Sequence, residues 1–403
     1  MTFNRTLFPT AGGLLTLVFA SFCGGPILGQ GTLLIVGGGL DPANAEVYQS
    51  LLNVCDDASK IGIIPLASGV PEESGPLSVQ DFQQYASRPD RIFDTELTYT
   101  NPALAADPKV AAQVGACGGL WFTGGDQSRI VEALRPVSGD TLGYQAVLDV
   151  LANGGVVGGS SAGAAMMSNP MIGSGESETA MLLGSTDQLD GPGVCLKKGM
   201  GLFPYGLSDQ HFLQRGRFGR LLVALEATQM RLGFGISEDC ALVVDLKTGR
   251  MKAIGEQAVT IIDTHDAHRQ GHDRDNIRVH LLGDADTFDA KIQQVLPEEG
   301  KTEDGATSLS ATPTSFSEPI WRRNAVGKIL AMLSSTEFGS VVAADDAFDY
   351  VFIKDEKTKF YFHEKHGKRT MTAVNVRLDI KAHSDVAEKV SIEKAKFEPS
   401  PTH

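Results

Sequence analysis

Four short apolar runs near the start of the chain each end in glycine or proline: "LLIVGGG", "KIGIIPLAS", "GGLWFTGGDQ" and "VVGGSSAGAA". Runs of this length without polar alternation read as strands buried on both faces. Segments of helical spacing lie between them, among them "EVYQSLLNVC", "VQDFQQYASR", "SRIVEALR" and "TLGYQAVLDVLANGG". Strand and helix alternating at short range imply an α/β fold, a mostly parallel sheet with helices on both faces. The 45 glycines among 403 residues suit such a chain, which needs many tight turns and close backbone approaches.

The alternation continues through "RLLVALEATQMRLGFGISEDCALVVDLKTGRMKAIGEQAVTIID", read as a helix, two strands joined by the turn "DLKTGR", and a further strand. Beyond Asp263 the texture changes. "THDAHRQGHDRDN" is polar and reads as a loop, and "PEEGKTEDGATSLSATPTSFSEP" as a loop or linker poor in hydrophobic residues. "AVGKILAMLSS" has helical spacing, "DYVFIKDEKTKFYFHEK" reads as a β-hairpin, and "AEKVSIEKAKFEPSPTH" as a solvated tail. The expected organisation is a leader over 1–29, a catalytic α/β domain over 30–290 and a C-terminal extension over 291–403.

The leader has a basic start at Arg5, an apolar run from about Leu14 to Phe22, then small residues and Pro26, the layout of a secretory signal. An extracellular or periplasmic location is therefore expected. Cys23 suggests a lipid anchor, against which Phe22 stands where a small residue is required. The remaining cysteines, Cys55, Cys117, Cys195 and Cys240, show no CxxC spacing. An oxidising compartment would permit disulfides, but the apolar flanks of Cys117 and Cys240 favour core packing. Net charge is −14, which argues against nucleic acid as a partner.

"GGSSAGAA" supplies the chemistry. Gly159-Ser160-Ser161-Ala162-Gly163 fits G-x-S-x-G between an apolar run and a small-residue helix start, the context of a nucleophile elbow. The motif selects Ser161 over Ser160. A serine nucleophile needs a base, and "LSDQHFLQRGRFGRL" offers His211 among Asp209, Gln210, Arg215, Arg217 and Arg220. Three arginines beside a histidine in an acidic chain suggest a site for carboxylates. "GFGISEDCALVV" offers Glu238 or Asp239 to orient the imidazole, and the residues alone do not choose between them. Two other patterns are weaker. "GGGLDP" lacks the spacing of a dinucleotide-binding turn, and His265, His268 and His272 match no compact metal-ligand motif.

The blocks "FTGGDQ", "GGSSAGAA", "DQHFLQRGRFGRL" and "GFGISEDCALVV" together resemble the cyanophycinases, in the serine peptidase family that also holds aspartyl dipeptidase. The resemblance covers roughly residues 31–265. It implies a fold like that of class I glutamine amidotransferases and a triad of Ser161, His211 and Glu238. It further implies an oxyanion hole at Gly125 and Ala162, and a pocket shaped by Gln127, Asp209, Gln210, Arg215, Arg217 and Arg220. The expected substrate is cyanophycin, a poly-aspartate with arginine on each side-chain carboxyl, or other β-aspartyl peptides, with β-aspartyl-arginine as product. No metal or cofactor is expected, and a homodimer is suggested. Ser160 stands where the family commonly has threonine. The alternatives are an aspartyl or isoaspartyl dipeptidase and a secreted polymer-binding homologue without activity.

Overall fold

A computed structural model of the chain describes residues 30–303, 312–365 and 368–397. The leader and Cys23 lie outside the described residues.

The first sheet has nine strands. Its parallel part is built from β1 (Thr32–Val36), β2 (Lys60–Ile64), β3 (Ile92–Asp94), β4 (Cys117–Phe122) and β5 (Val156–Ser160), in spatial order β1, β5, β4, β2, β3. Strands Cys240–Asp245, Arg250–Gly255, Thr287–Asp289 and Gln294–Leu296 extend it antiparallel from β1. β1 shows why its run is apolar throughout. Leu33 and Ile35 enter the core on one face, and Leu34 and Val36 enter the core on the other. On that second face lie α1 (Ala45–Leu52) and α2 (Pro71–Gln83). On the first lie α3 (Pro108–Gly115), α4 (Gln127–Leu134) and α5 (Leu142–Ala152). The α/β fold with helices on both faces is as the alternation implied.

A second sheet, of eleven strands, is largely antiparallel. Its main path runs Thr312–Ser315, Phe338–Ala344, Phe348–Ile353, Lys368–Ala382, Asp273–Leu282, Val259–Asp263, Leu232–Ile236, Leu207–Asp209. The helices Phe218–Thr228 and Ala325–Leu333 pack into its core.

This sheet corrects several expectations. The boundary expected at 290 falls inside a hairpin, since Thr287–Asp289 pairs with Gln294–Leu296. The presumed extension also contributes Lys368–Ala382, which pairs with Asp273–Leu282 in the second sheet. "DYVFIKDEKTKFYFHEK" is not a hairpin. Phe348–Ile353 and Lys359–Lys365 each pair with a different part of Lys368–Ala382, whose 15 residues are long enough for both. The histidine-rich stretch is not a loop: His268–Gln270 pairs back on Asp273–Asp275. His268 is exposed, while His265 holds Asp263 at 2.7 Å. The expected tail forms a helix, Val386–Ala395. Cys55, Cys117, Cys195 and Cys240 are buried free thiols, and burial pushes the Cys55 thiol up to about 12.

Candidate active site

Register brings the pieces together. Val36 is aligned with Ser160 across the β1–β5 pair, so both strands end side by side. Ser161 follows with φ 56° and ψ −107°, outside the regions an L-residue prefers. Its amide donates to Val36 O at 3.1 Å, and a single helical turn, α6 (Ala162–Ala165), begins at once. The glycines of the motif are clearance. A Cβ on Gly159 would stand 2.6 Å from Gly163 O, and one on Gly163 would stand 2.5 Å from Phe122 O. Because α6 is only four residues long, it supplies little of the helix dipole expected from the sequence. What remains is its free first-turn amides, including that of Ala162.

His211 and Glu238 come from the other sheet. His211 follows the strand Leu207–Asp209, and Glu238 follows Leu232–Ile236, which pairs with it. Ser161 Oγ lies 2.9 Å from His211 Nε2, and His211 Nδ1 lies 2.8 Å from Glu238 Oε1. A carboxylate only accepts, so Nδ1 carries the proton and Nε2 is free to accept from the Ser161 hydroxyl. Burial holds the His211 pKa below the ordinary imidazole value. The bond to Glu238 opposes this shift, and Arg215 and Arg217 reinforce it. The ring is therefore neutral at pH 7, as a base requires.

The choice between Glu238 and Asp239 is geometric. Asp239 turns away and accepts from the Asp41 amide at 3.0 Å and Asn44 Nδ2 at 2.9 Å, pinning the loop before α1. That loop contains the "GGG" that follows β1. Gly37 O accepts from the His211 amide at 2.7 Å. A Cβ on Gly38, φ +98°, would sit 2.4 Å from His211 Cε1, and one on Gly39 would sit 3.3 Å from Glu238 Cβ. The glycines that looked like a nucleotide turn make room for the imidazole.

The remaining candidates are mostly spoken for. Gly125, φ +140°, lies against Ala67 O, where a Cβ would approach to 2.0 Å, and the adjoining Gly124 faces Ser161 Cβ. Gln127 donates to the carbonyls of Ile172 and Gly173. Asp209 is 1% exposed, and both its oxygens accept from Arg220, at 2.8 and 2.5 Å. The expectation that Asp209 meets a substrate guanidinium does not fit this pairing. Arg220 also donates to Gly175 O, and Arg217 donates to the carbonyl and side-chain oxygens of Gln210. Burial lowers the Arg217 pKa to about 10. Of the three arginines expected to hold carboxylates, only Arg215 is exposed.

Sequence reading missed a contribution from far down the chain. Gly216, φ +59°, fits under Trp321 O, and the Asn324 amide donates to Leu213 O at 2.7 Å. Arg323 then reaches Glu238 Oε2 at 3.8 Å. Gln214 Oε1 accepts from the Glu238 amide at 2.9 Å. No local pattern marked Trp321–Asn324 as near the site.

Residues 33–251 match the family described as Peptidase family S51. The chain belongs to this family. It is therefore a serine-type peptidase. Relatives include "Cyanophycinase" of Synechococcus elongatus, 31% identical over 279 residues, covering 66% of this chain and 81% of that protein. "Cyanophycinase" of Trichormus variabilis is 32% identical over 281 residues, covering 66% and 87%. Among solved structures, a peptidase from an acI-B1 Actinobacterium is 21% identical, with TM-score 0.47, covering 64% of this chain and 97% of that one.

Proposed function

We propose that the chain is a secreted exopeptidase that hydrolyses cyanophycin to β-aspartyl-arginine dipeptides through Ser161, His211 and Glu238. The observation that carries the reading is the unbroken relay Ser161 Oγ, His211 Nε2, His211 Nδ1, Glu238 Oε1 on a strained turn. The names of the relatives support the substrate. The basic start and apolar run of residues 1–29 support export.

In this reading His211 Nε2 takes the Ser161 proton as Oγ attacks the scissile carbonyl. The amides of Gly125 and Ala162 receive the oxyanion. The imidazolium, steadied by Glu238, passes the proton to the leaving amine, and the acyl-enzyme forms. Water then repeats the sequence, giving its proton to His211 and releasing the acid and free Ser161. In this reading Arg215, the exposed arginine of the block, meets a substrate α-carboxylate, and its exposure supports the role.

Incubating the purified chain with insoluble cyanophycin and weighing the soluble products tests this. β-Aspartyl-arginine is expected as the main product. Failure to release any dipeptide, while short aspartyl dipeptides are cleaved, would replace the reading with the dipeptidase one.

A further inference from the structure

The proposed substrate carries a guanidinium on every residue, yet Asp209, the carboxylate the sequence offers for it, is consumed by Arg220. Another carboxylate stands beside the elbow. A cavity of about 340 Å³ opens at the carboxyl ends of β1, β4 and β5, bounded there by Gly39, Gly124 and Ser160. In an open α/β sheet this is where ligands settle. The cavity shares no lining residue with the Asp209–Arg220 block. Its walls are Tyr48 from α1, Ser74, Asp81 and Phe82 from α2, and Trp121 and Thr123 from the end of β4.

Three features of this cavity suit a planar cation. Asp81 is half-buried and forms no ion pair with any lysine or arginine among the described residues. Burial raises its pKa and the nearby Tyr48 hydroxyl opposes that, the mark of a carboxylate partly stripped of water without a counter-charge. Thr123 is 4% exposed, and its Oγ1 has no hydrogen-bond partner, nor has the buried Ser74 Oγ. Unpartnered buried oxygens are costly unless something donates to them. Phe82 packs edge-to-face with Tyr48 and with Trp121, ring centroids 5.0 Å apart in both contacts, and aromatic faces attract cations. Asp41 and Asp239 add negative charge near Tyr48. A guanidinium presents five donors in one plane, enough for a carboxylate and two hydroxyls.

We propose that this cavity is a guanidinium subsite, in which Asp81, Thr123 and Ser74 receive the arginine side chain of a residue flanking the scissile bond. The assignment rests on the cyanophycin reading above. Asp81 selects the arginine, and Ser161 acts on the backbone beside it.

The test compares a short β-linked aspartyl-arginine oligomer with the same oligomer carrying citrulline, which is neutral and nearly identical in shape. Asp81→Asn in the full chain is expected to raise KM for the arginine oligomer by about 10–100-fold, with kcat retained. For the citrulline oligomer, which keeps N–H donors but has no charge, KM is expected to rise by less than about threefold, and a thermal unfolding midpoint close to that of the wild type shows that the variant is folded. Asp81→Glu is expected to recover part of the arginine preference. An arginine-to-citrulline KM ratio unaltered by Asp81→Asn would overturn the subsite. If the wild-type chain cleaves neither oligomer, the cyanophycin reading fails separately. Calorimetry with agmatine then decides the subsite: affinity lost in Asp81→Asn supports it, and equal affinity in both proteins overturns it.

Discussion

The two sheets divide the candidate site unequally. The first presents Ser161 on a local unit of strand, turn and helical start within residues 156–165, seated against the ends of β1 and β4. The second presents His211 and Glu238 just beyond the ends of neighbouring strands whose support comes from residues 259–382. A nucleophile can be set by its own neighbours in sequence. Its base is set by contacts spanning more than half the chain, through glycines that let the two parts approach.

Breaking the join should therefore cost more than trimming its edges. The largest effect is expected where Lys301 Nζ meets Asp286 at 2.6 Å, both side chains fully buried, with Thr372 of the second sheet bonded to each. Lys301→Ala leaves an uncompensated carboxylate and is expected to lower the unfolding free energy by about 3–5 kcal/mol. Chemical denaturation would measure it, and a shift under 1 kcal/mol would detach this pair from the join.

His280 offers a pH handle on the second sheet. It is buried, accepts from the Asn375 amide at 3.3 Å, and burial pushes its pKa down to about 4. The unfolded chain, with an ordinary imidazole, takes up this proton first as pH falls. Stability from this group is thus present above pH 6.5 and is lost as pH falls toward 4, by about 3 kcal/mol in all. His280→Gln is expected to flatten that part of the profile, and unfolding curves at pH 7 and pH 4.5 would show it.

Gly38→Ala attacks the join at the imidazole. A methyl 2.4 Å from His211 Cε1 must push the ring or the loop aside. A fall in kcat of about 100-fold is expected, with KM less affected. The smallest effect is expected at Arg323. Its side chain is 69% exposed and 3.8 Å from Glu238, so Arg323→Ala should change kcat/KM by less than about fivefold.

The same division explains what was legible in the sequence. β1, β2, β4 and β5 declared themselves through apolar runs ending in glycine or proline, whereas the three-residue β3 did not, and G-x-S-x-G picked out Ser161 because the motif is five consecutive residues. Glu238 and Asp239 are adjacent and chemically alike, so only the distance to His211 separates them. The second sheet was misread because its ladders are long-range: Arg278 pairs with Arg377, and no local pattern announces that. The strand Lys368–Ala382 captured both arms of the apparent hairpin. Helix Val386–Ala395 buries only Val386, so it carries no apolar stripe to read. The cavity at Asp81 was invisible because Tyr48, Ser74, Asp81 and Thr123 share neither a motif nor a spacing.

The central claim is that a serine on one sheet is activated by a histidine on the other. Labelling the intact protein with a serine-directed fluorophosphonate and weighing it tests this directly. The account predicts one adduct per chain, on Ser161, formed orders of magnitude more slowly in a folded His211→Ala variant. An adduct on another serine, or an unchanged rate at Ser161 without His211, would contradict it.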